Sequence, residues 1–445
     1  MNSRWRKINE FLVVSNTGKK QTGLGAFLAD ADLNVRENCQ VEIDLEIERG
    51  TERSCDNRDL TGEPVKSRYA KFRLTYENPT PLQMFRMVAY KEGAVTAPTG
   101  APANEVQTLT RSGSVVGGTF TIGITLEGRS GLTKPIAFDA SPALVLAAII
   151  DQSKTLGKII KPGDIAVTGD WTAGIVLTFA RRLGKADLPL IVVGNTNITG
   201  GGSISVAQTT PGGQNFHTAQ RSADGSKPLF SLATGDQNGS IATQKFGDAV
   251  VDSIDFAVDT GKVNVSMTVV ICCNFIPDLV SNFAVAPCVK LPAVRVQDVR
   301  VKINGNFENR DLVSHAVSLN DNVPKAAAFV FDDIDVSIPF VSGDQPVQSF
   351  TTEIFGDAGH PLYALANNEY VTGNEVEFIT HFGNPGSRVS VIGGETKIKP
   401  QGQLAGFSGE ANQSTVKFTG TPYSITGLPV RYEASLDQST AFLSV

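Results

Sequence analysis

Residues 40–50 read QVEIDLEIERG, and apolar and acidic residues alternate along this segment. Successive side chains of a β-strand point to opposite faces of a sheet, so this pattern predicts a strand with one apolar and one acidic face. Because buried carboxylates are costly, we expect the acidic face to meet water. It is either the solvated outer face of an antiparallel sheet or a surface that repels a polyanion. The four acidic residues are Glu42, Asp44, Glu46 and Glu48.

The composition bounds the class of protein. A chain of 445 residues has room for about two to four domains. Hydrophobic residues make up 41% and charged residues 19%, so the chain can bury sizeable cores. The net charge of -6 argues against adhesive binding to nucleic acid, which needs lysine and arginine on the phosphates. The 43 glycines, together with long alternating runs, favour a mainly β fold with many turns.

The cysteines and the N-terminus point to folding in a reducing cytoplasm. No two of the five cysteines have the spacing of a zinc or thioredoxin-type site, so we interpret them as small packing residues. The N-terminus is basic, and its apolar run at residues 11–14 is too short for a signal peptide. No window of the sequence is long and apolar enough to predict a membrane span.

Changes of pattern along the chain predict several units. Strand YAKFRLTY (residues 69–76) precedes a helix that begins after Pro81, and a second helix is capped by Ser141 and ended by Gly157. A long hairpin follows, with its turn at residues 259–262. The predicted units are an N-terminal arm (1–20), the first part of domain 1 (21–111), an inserted domain (112–212), the second part of domain 1 (213–289) and domain 2 (290–445).

Three matches in the same order indicate that one domain is duplicated. LTGEPVKS (residues 60–67) matches VSGDQPVQS (341–349), and TPL at 80–82 matches HPL at 360–362. Upstream of these, the acidic strand matches FDDIDVSIPF, residues 331–340, in which Asp333 and Asp335 share one face. Shared order and spacing across three matches predict a tandem repeat.

Motifs for catalysis or metal binding are missing from the sequence. The four histidines are scattered without metal-site spacing, and we interpret each as an ordinary surface or turn residue. The sequence has no phosphate loop, nucleophile elbow or calcium loop. The cluster of Asp332, Asp333 and Asp335 could bind a cation, but alternation places Asp332 on the opposite face from the other two, which favours a solvated strand face. We therefore predict no enzyme, no metal and no cofactor.

The layout resembles the tail tube proteins of long-tailed bacteriophages. The resemblance rests on the acidic strand, the RDLTGEPVKS segment, the strand and helix after it, and the hairpin SIDFAVDTGKVNVSMTVV. Residues 112–212 are similar to a small domain inserted in many phage virion proteins. The similar pieces are GGTFTI, PIAFDASPALVLAAI, GDIAVTGDWTAGIVLTFARRLGKADLPLIVV and GGGSISVAQTTPGG.

The resemblance implies a mainly β fold, with two tandem tube domains of β-sandwich or barrel type, each with a short helix, plus an inserted, outward-facing α+β domain. Three chains would form a ring with pseudo-sixfold symmetry, and rings would stack into the tail tube. The implied partners are other copies of the chain, the tape-measure protein and other tail proteins. Double-stranded DNA would pass without specific binding, and no membrane is involved. The protein would be assembled in the bacterial cytoplasm and reside in the virion tail.

The acidic residues are the candidates for the wall of the channel, because a wall that repels phosphates lets DNA slide. Alternation alone leaves open whether they face the channel or the outer solvent. The candidate lumen residues are Glu42, Asp44, Glu46, Glu48, Asp333 and Asp335. The main alternative function is a baseplate or head-completion protein with the same inserted domain. A secreted adhesive β-domain protein is a second alternative, and a catalytic role is a distant third.

Overall fold

The fold was obtained from a computed structural model, which describes most of the chain. The described residues are 6–7, 10–15, 18–33, 35–49, 52–53, 60–62, 65–223, 225–236, 241–274, 282–286, 292–307, 312–321, 347–355, 376–401, 415–423 and 430–444. Strands far outnumber helices in these residues, which confirms the mainly β class. None of the helices found in them has the length and apolar character needed to cross a bilayer.

Before the inserted domain, the described residues form short and long strands around one helix. In chain order these are β1 (Arg6–Lys7), β2 (Glu10–Val14), β3 (Val35–Arg36), β4 (Gln40–Arg49), β5 (Glu52–Arg53), β6 (Leu60–Gly62), β7 (Val65–Tyr76), α1 (Pro81–Glu92) and β8 (Gly93–Val95). The inserted domain follows, with β9 (Val106–Ser112), β10 (Gly117–Leu126), β11 (Arg129–Leu132), β12 (Ile136–Ala137), α2 (Pro142–Ile149), α3 (Thr155–Ile159), β13 (Ile165–Asp170), β14 (Gly174–Phe179), β15 (Val192–Thr199) and β16 (Ser203–Thr210).

After the inserted domain the described elements are all strands, apart from one turn of 3-10 helix at Val296–Asp298. They are β17 (Asn215–Arg221), β18 (Phe230–Asp236), β19 (Ile241–Ala242), β20 (Gln244–Asp259), β21 (Ser266–Asn274), β22 (Phe283–Ala284), β23 (Val299–Ile303), β24 (Asn306–Phe307), β25 (Leu312–Asn320), β26 (Val347–Phe355), β27 (Val376–Asn384), β28 (Ser387–Gln401), β29 (Thr415–Tyr423) and β30 (Val430–Leu436). The predicted hairpin is confirmed as β20 and β21.

Two sets of six strands have the same order along the chain and the same antiparallel pairings. In the first set, repeat 1, neighbours follow the path β2–β18–β20–β21–β7–β4. In the second set, repeat 2, they follow the path β23–β27–β28–β29–β26–β25. The equivalent strands β7 and β26 begin at Val65 and Val347, the two valines that the sequence match aligns.

This pairing pattern corrects one part of the repeat predicted from the sequence. In repeat 2 the strand equivalent to β4 is β25. The reason is that β4 pairs with β7 and β25 pairs with β26, the two strands that begin at the matched valines. The sequence match instead gave that place to residues 331–340, which lie outside the described residues. Acidic alternation was a poor guide because it fits any half-exposed strand, whereas β25 carries serine and alanine at the equivalent positions.

The inserted domain has its own core, and its two chain ends lie side by side. Two four-stranded sheets and helices α2 and α3 enclose a cluster that includes Leu109, Phe120 and Ile122. Because Leu109 lies on β9, this domain starts near residue 104 and not at residue 112 as predicted from the sequence. Its two ends meet where the backbones of Ala103 and Gly213 exchange hydrogen bonds of 3.0 and 2.9 Å.

The two predicted helix starts are confirmed. Thr80 caps α1 by a reciprocal pair of hydrogen bonds with Gln83, and the Ser141 side chain accepts from the Leu144 amide to cap α2. The predicted end of α2 is wrong, since it ends at Ile149 and Gly157 lies within α3. A Cβ atom at position 157 would lie 2.2 Å from the Asp151 carbonyl oxygen, so glycine there permits a close approach of two chain segments.

The three histidines among the described residues are not the surface or turn residues that the sequence suggested, and His360 lies outside the described residues. His217 and His315 are 0% and 1% exposed, and His381 is half-buried. The ring of His315 lies between two hydroxyls, with Nδ1 2.9 Å from Thr352 Oγ1 and Nε2 2.8 Å from Thr380 Oγ1. These contacts satisfy both ring nitrogens inside the core. Burial lowers the pKa of His315 to about 3, so it is neutral in the folded chain.

Candidate assembly edge and channel wall

The two repeats join edge to edge through β20 and β25. Residues 253–259 of β20 pair with residues 314–320 of β25, on the side of β20 that faces away from β21. This junction continues one sheet through eight strands in the order β4–β7–β21–β20–β25–β26–β29–β28. The Ser318 hydroxyl donates a 2.5 Å hydrogen bond to Asp255 across the junction. One repeat can therefore accept the next without a gap in the backbone ladder.

Strand β4 offers the same edge that β25 uses in this junction. Glu48 pairs with Ser67 on β7, and Ser318 pairs with Ser349 on β26, so Glu48 and Ser318 hold equivalent positions. Counting back in steps of two makes Glu46 equivalent to Ala316 and Asp44 equivalent to Ser314. In the described part of the chain, only β1 pairs with this edge of β4, at Ile43 and Glu42. An open edge of this kind invites a further strand.

At the other end of the eight strands, β28 is equivalent to β20. Its first half pairs with β27 and β30, and residues 395–401 pair with β29. Among the described strands, none pairs with residues 397–401 on the side away from β29. The chain then continues into residues 402–414, outside the described residues. The eight-stranded sheet therefore ends at β4 with an edge like that of β25, and at β28 with an edge like that of β20.

One face of the eight-stranded sheet packs on the main core, and we call the opposite face the polar face. The core side holds buried residues such as Phe72, Phe256 and Phe350, and α1 packs in the same core. The polar face is lined mainly by half-buried or exposed hydroxyl and charged side chains. Its described members include Glu42, Lys71, Arg73, Thr75, Asp255, Asp259, Thr268, Ser314, Ser318, Ser349, Thr351, Glu353, Lys417, Thr419 and Thr421.

The acidic strand does not form the continuous acidic surface that its sequence suggests. Glu42 is opposite Arg73 on β7 and Asp44 is opposite Lys71. A distance of 4.0 Å separates the Arg73 and Glu42 side chains. Asp44 is only 5% exposed, against the expectation that this face meets water. Basic residues on the neighbouring strand therefore balance two of the four acids.

The other candidate lumen residues are less fully described. Glu46 and Glu48 lie on β4 opposite Tyr69 and Ser67, which fixes their register. Asp333 and Asp335 lie outside the described residues. The missed signal was in the second strand, because YAKFRLTY places Lys71 and Arg73 on the face that alternation assigns away from the core. Reading both strands together would have predicted a mixed face.

The described residues contain no group of three or more histidine, cysteine or acidic side chains able to hold a metal ion. Cys272 and Cys273 lie on opposite faces of β21, and neither forms a disulfide. Burial raises the pKa of the Cys273 thiol well above its ordinary value, which keeps it protonated and unreactive.

The inserted domain docks on repeat 2 through charged side chains. Glu127, in the turn after β10, bridges Arg300 on β23 at 3.1 Å and Arg388 on β28 at 3.0 Å. Lys185 forms a further ion pair with Asp437, just after β30. None of these three ion pairs uses a member of the polar face named above.

The sequence matches no protein-family model and no curated protein.

Proposed function

We propose that this chain is a structural protein that joins with copies of itself into rings, and that the rings stack into a phage tail tube through which DNA passes. The observation that carries the proposal is the pairing of β20 with β25. That junction links the two six-strand repeats inside one chain. The edge of β4 that corresponds to the paired edge of β25 has no partner equivalent to β20 among the described residues. A second copy supplies such a partner.

The size of such a ring suits a channel for DNA. Each chain contributes eight strands to the polar-face sheet, and three chains would contribute about 24. A spacing of roughly 4.8 Å between strands gives a circumference of about 115 Å and a diameter of about 37 Å, more if the strands tilt. A channel of this width admits a duplex. In such a ring the inserted domain, which Glu127 ties to Arg300 and Arg388, would lie outside the channel, because a domain of about 100 residues would block it.

The chemistry of the polar face supports a wall that does not hold DNA. Lys71 and Arg73 stand opposite Asp44 and Glu42, so the bases that would attract phosphates are balanced by acids. Hydroxyl side chains, such as Thr268 and Thr351, fill much of the rest. Affinity for a duplex grows with each unbalanced phosphate contact, and this face offers few of them.

Electron microscopy of the purified chain in negative stain, with native mass spectrometry of its smallest closed assembly, tests the proposal. We expect rings of three chains that stack into tubes. Rings of six chains would contradict the use of both repeats in one ring. Single rings that never stack would favour the baseplate or head-completion alternative, and a monomer at all concentrations would contradict assembly.

The channel wall has its own test in virions. We expect Glu42→Lys, Glu46→Lys and Glu48→Lys combined to leave tails intact and to block genome delivery, with partial rescue at high salt. Asp44 is left unchanged because it is buried. The matched control replaces the same three residues by glutamine. Normal delivery by the lysine variant would show that these residues do not line the channel.

A further inference from the structure

Four charged side chains are buried together beside the β20–β25 junction. They come from the end of α1, from the segment before β18, and from the residue that follows β25. Each is 2–8% exposed, and their charges sum to zero. We call them the ion quartet, and its members are Lys91, Glu92, Lys227 and Asp321.

Asp321 is the centre of the quartet. Its Oδ1 lies 2.7 Å from Lys91 Nζ, and its Oδ2 pairs with Lys227 Nζ. Glu92 completes the set, 3.0 Å from Lys91 Nζ, and accepts a 3.0 Å hydrogen bond from the Tyr432 hydroxyl. Removal of the one carboxylate of Asp321 would leave two buried ammonium groups to share Glu92.

The quartet is tied directly to the junction. The Asp321 amide donates to the Asp252 carbonyl oxygen of β20 at 3.1 Å, and Lys227 Nζ donates to the Val251 carbonyl oxygen at 3.0 Å. Burial lowers the pKa of Lys91, but Glu92 and Asp321 outweigh it and raise the net value. Burial raises the pKa of Asp321, and the two lysines more than reverse that effect. The carboxylate that anchors β25 is thus held in its charged form.

The sequence offers no charged counterpart of the quartet in the other repeat. The HPL match gives the equivalents of Lys91 and Glu92, the matched valines that of Asp321, and the starts of β18 and β27 that of Lys227. Counted in this way along the sequence, the four equivalents are Val371, Thr372, Gly50 and Gly373, all of which lie outside the described residues.

We propose that the ion quartet is a selection device that makes β20 accept β25 of its own chain and reject β4 of another copy. The two strands hold equivalent places, so backbone pairing alone does not distinguish them. If β4 replaced β25, Arg49 would take the place of Asn320 and the uncharged Gly50 that of Asp321, so two buried lysines would lose their main counter-charge. An unpaired buried charge is strongly unfavourable, and such costs are a usual source of specificity. This inference holds whether or not the chain forms tubes.

Two cysteine pairs distinguish correct from wrong pairing. Ala257 on β20 is directly opposite Ala316 on β25, and Glu46 is the β4 equivalent of Ala316. A short thiol cross-linker should join Ala257→Cys to Ala316→Cys within one chain. It should join Ala257→Cys to Glu46→Cys only between chains that have paired wrongly. Peptide mapping identifies the linked residues and separates them from the native cysteines.

The test compares these cross-links in the parent chain and in a chain whose quartet is neutralised by Lys91→Met, Glu92→Gln, Lys227→Met and Asp321→Asn. We expect the wrong cross-link to rise at least fivefold in the neutralised chain while the correct one falls. Lys134→Met with Asp151→Asn, which removes an ion pair on the inserted domain with a half-exposed lysine, is the matched control and should change neither.

Asp321→Asn alone serves as the second variant, because it keeps the shape of the side chain. We expect the same shift, in the same direction, with smaller size. Identical cross-link ratios in parent and variants would overturn the proposal. So would variants that unfold without any gain of the wrong cross-link, because the quartet would then act only on general stability.

Discussion

Strands β4 and β25 hold the same place in the two repeats but have different surroundings. Strand β25 has a neighbour on each side, β26 and β20, whereas β4 has β7 on one side and, within the described residues, only a two-residue contact with β1 on the other. Their side chains differ accordingly. At equivalent positions β25 has Ser314 and Ser318, and β4 has Asp44 and Glu48.

Two units with the same strand pairings can therefore differ in the chemistry of their edges. Strand β25 can carry small neutral residues, because its edge is always paired with β20 of the same chain. An open edge lined by acids is a poor template for chance pairing, since charge on an edge strand discourages association with unsuitable neighbours. The acidic pattern of β4 is thus as well explained by its edge position as by a channel.

The largest loss of stability is expected from a large-to-small substitution in the core beneath the β20–β25 junction. Phe256 on β20 is 1% exposed, and its ring centroid lies 5.0 Å from that of Phe382 in repeat 2. Phe256→Ala should lower the free energy of unfolding by about 3–5 kcal/mol, measured by urea denaturation, because it leaves a cavity shared by both repeats. Val263→Ala, at a 75% exposed position, is the control and should cost little. A loss below about 1 kcal/mol for Phe256→Ala would mean that the repeats do not share one core.

The next effect is a pH dependence specific to β25, which has His315 where β4 has Leu45. The pKa of His315 is about 3 in the folded chain and about 6.5 in the unfolded chain. Between these values the unfolded state binds one more proton, so stability falls as pH drops below 6.5 and is unaffected above it. The expected loss is about 2 kcal/mol at pH 5.

Urea titrations from pH 7.5 to 4.5 check this expectation. His315→Gln should remove much of the slope. The remainder should be traceable to His381, whose pKa burial also lowers to about 3, and to His217, whose pKa burial lowers as well. A slope that is unchanged in His315→Gln would contradict the assignment.

A smaller effect should follow from giving β25 the residue that β4 has. Ser318→Glu places a carboxylate beside Asp255 across the filled junction, where the serine hydroxyl now donates a hydrogen bond. We expect it to lower the free energy of unfolding by about 1 kcal/mol more than the neutral Ser318→Gln, because like charges on adjacent strands repel. The gap should narrow in 1 M salt. Equal stability of the two variants would show that the β20–β25 junction tolerates an acidic residue on β25.

The smallest effect is expected at the ion pair of the open strand. Glu42→Gln and Arg73→Gln should each change the free energy of unfolding by about 0.5 kcal/mol or less, since the pair is 4.0 Å apart and both side chains are partly exposed. The measurement is urea denaturation of the monomer. A cost above about 1 kcal/mol would mean that the β4 edge is already covered within the chain.

Local features of this protein follow directly from its sequence. Alternation placed strands β4 and β7, and the capping residues Thr80 and Ser141 gave the starts of α1 and α2. These features depend on neighbours within a few residues, where side-chain direction and backbone hydrogen bonding are set by spacing. The match at Val65 and Val347 likewise aligned the two strands that hold equivalent places.

Which strands meet and which charges are buried depends on long-range packing. Period-two alternation says that Asp44 and Ile43 face opposite sides, but not that Lys71 stands opposite Asp44 or that Asp44 is buried. Long-range strand pairing also determined which strand of repeat 2 is equivalent to β4, and where the inserted domain starts. Lys91 and Asp321 are 230 residues apart, and their contact depends on the burial of both groups at one junction. A local pattern carries no information about such a contact, because its free energy comes from groups that only the fold brings together.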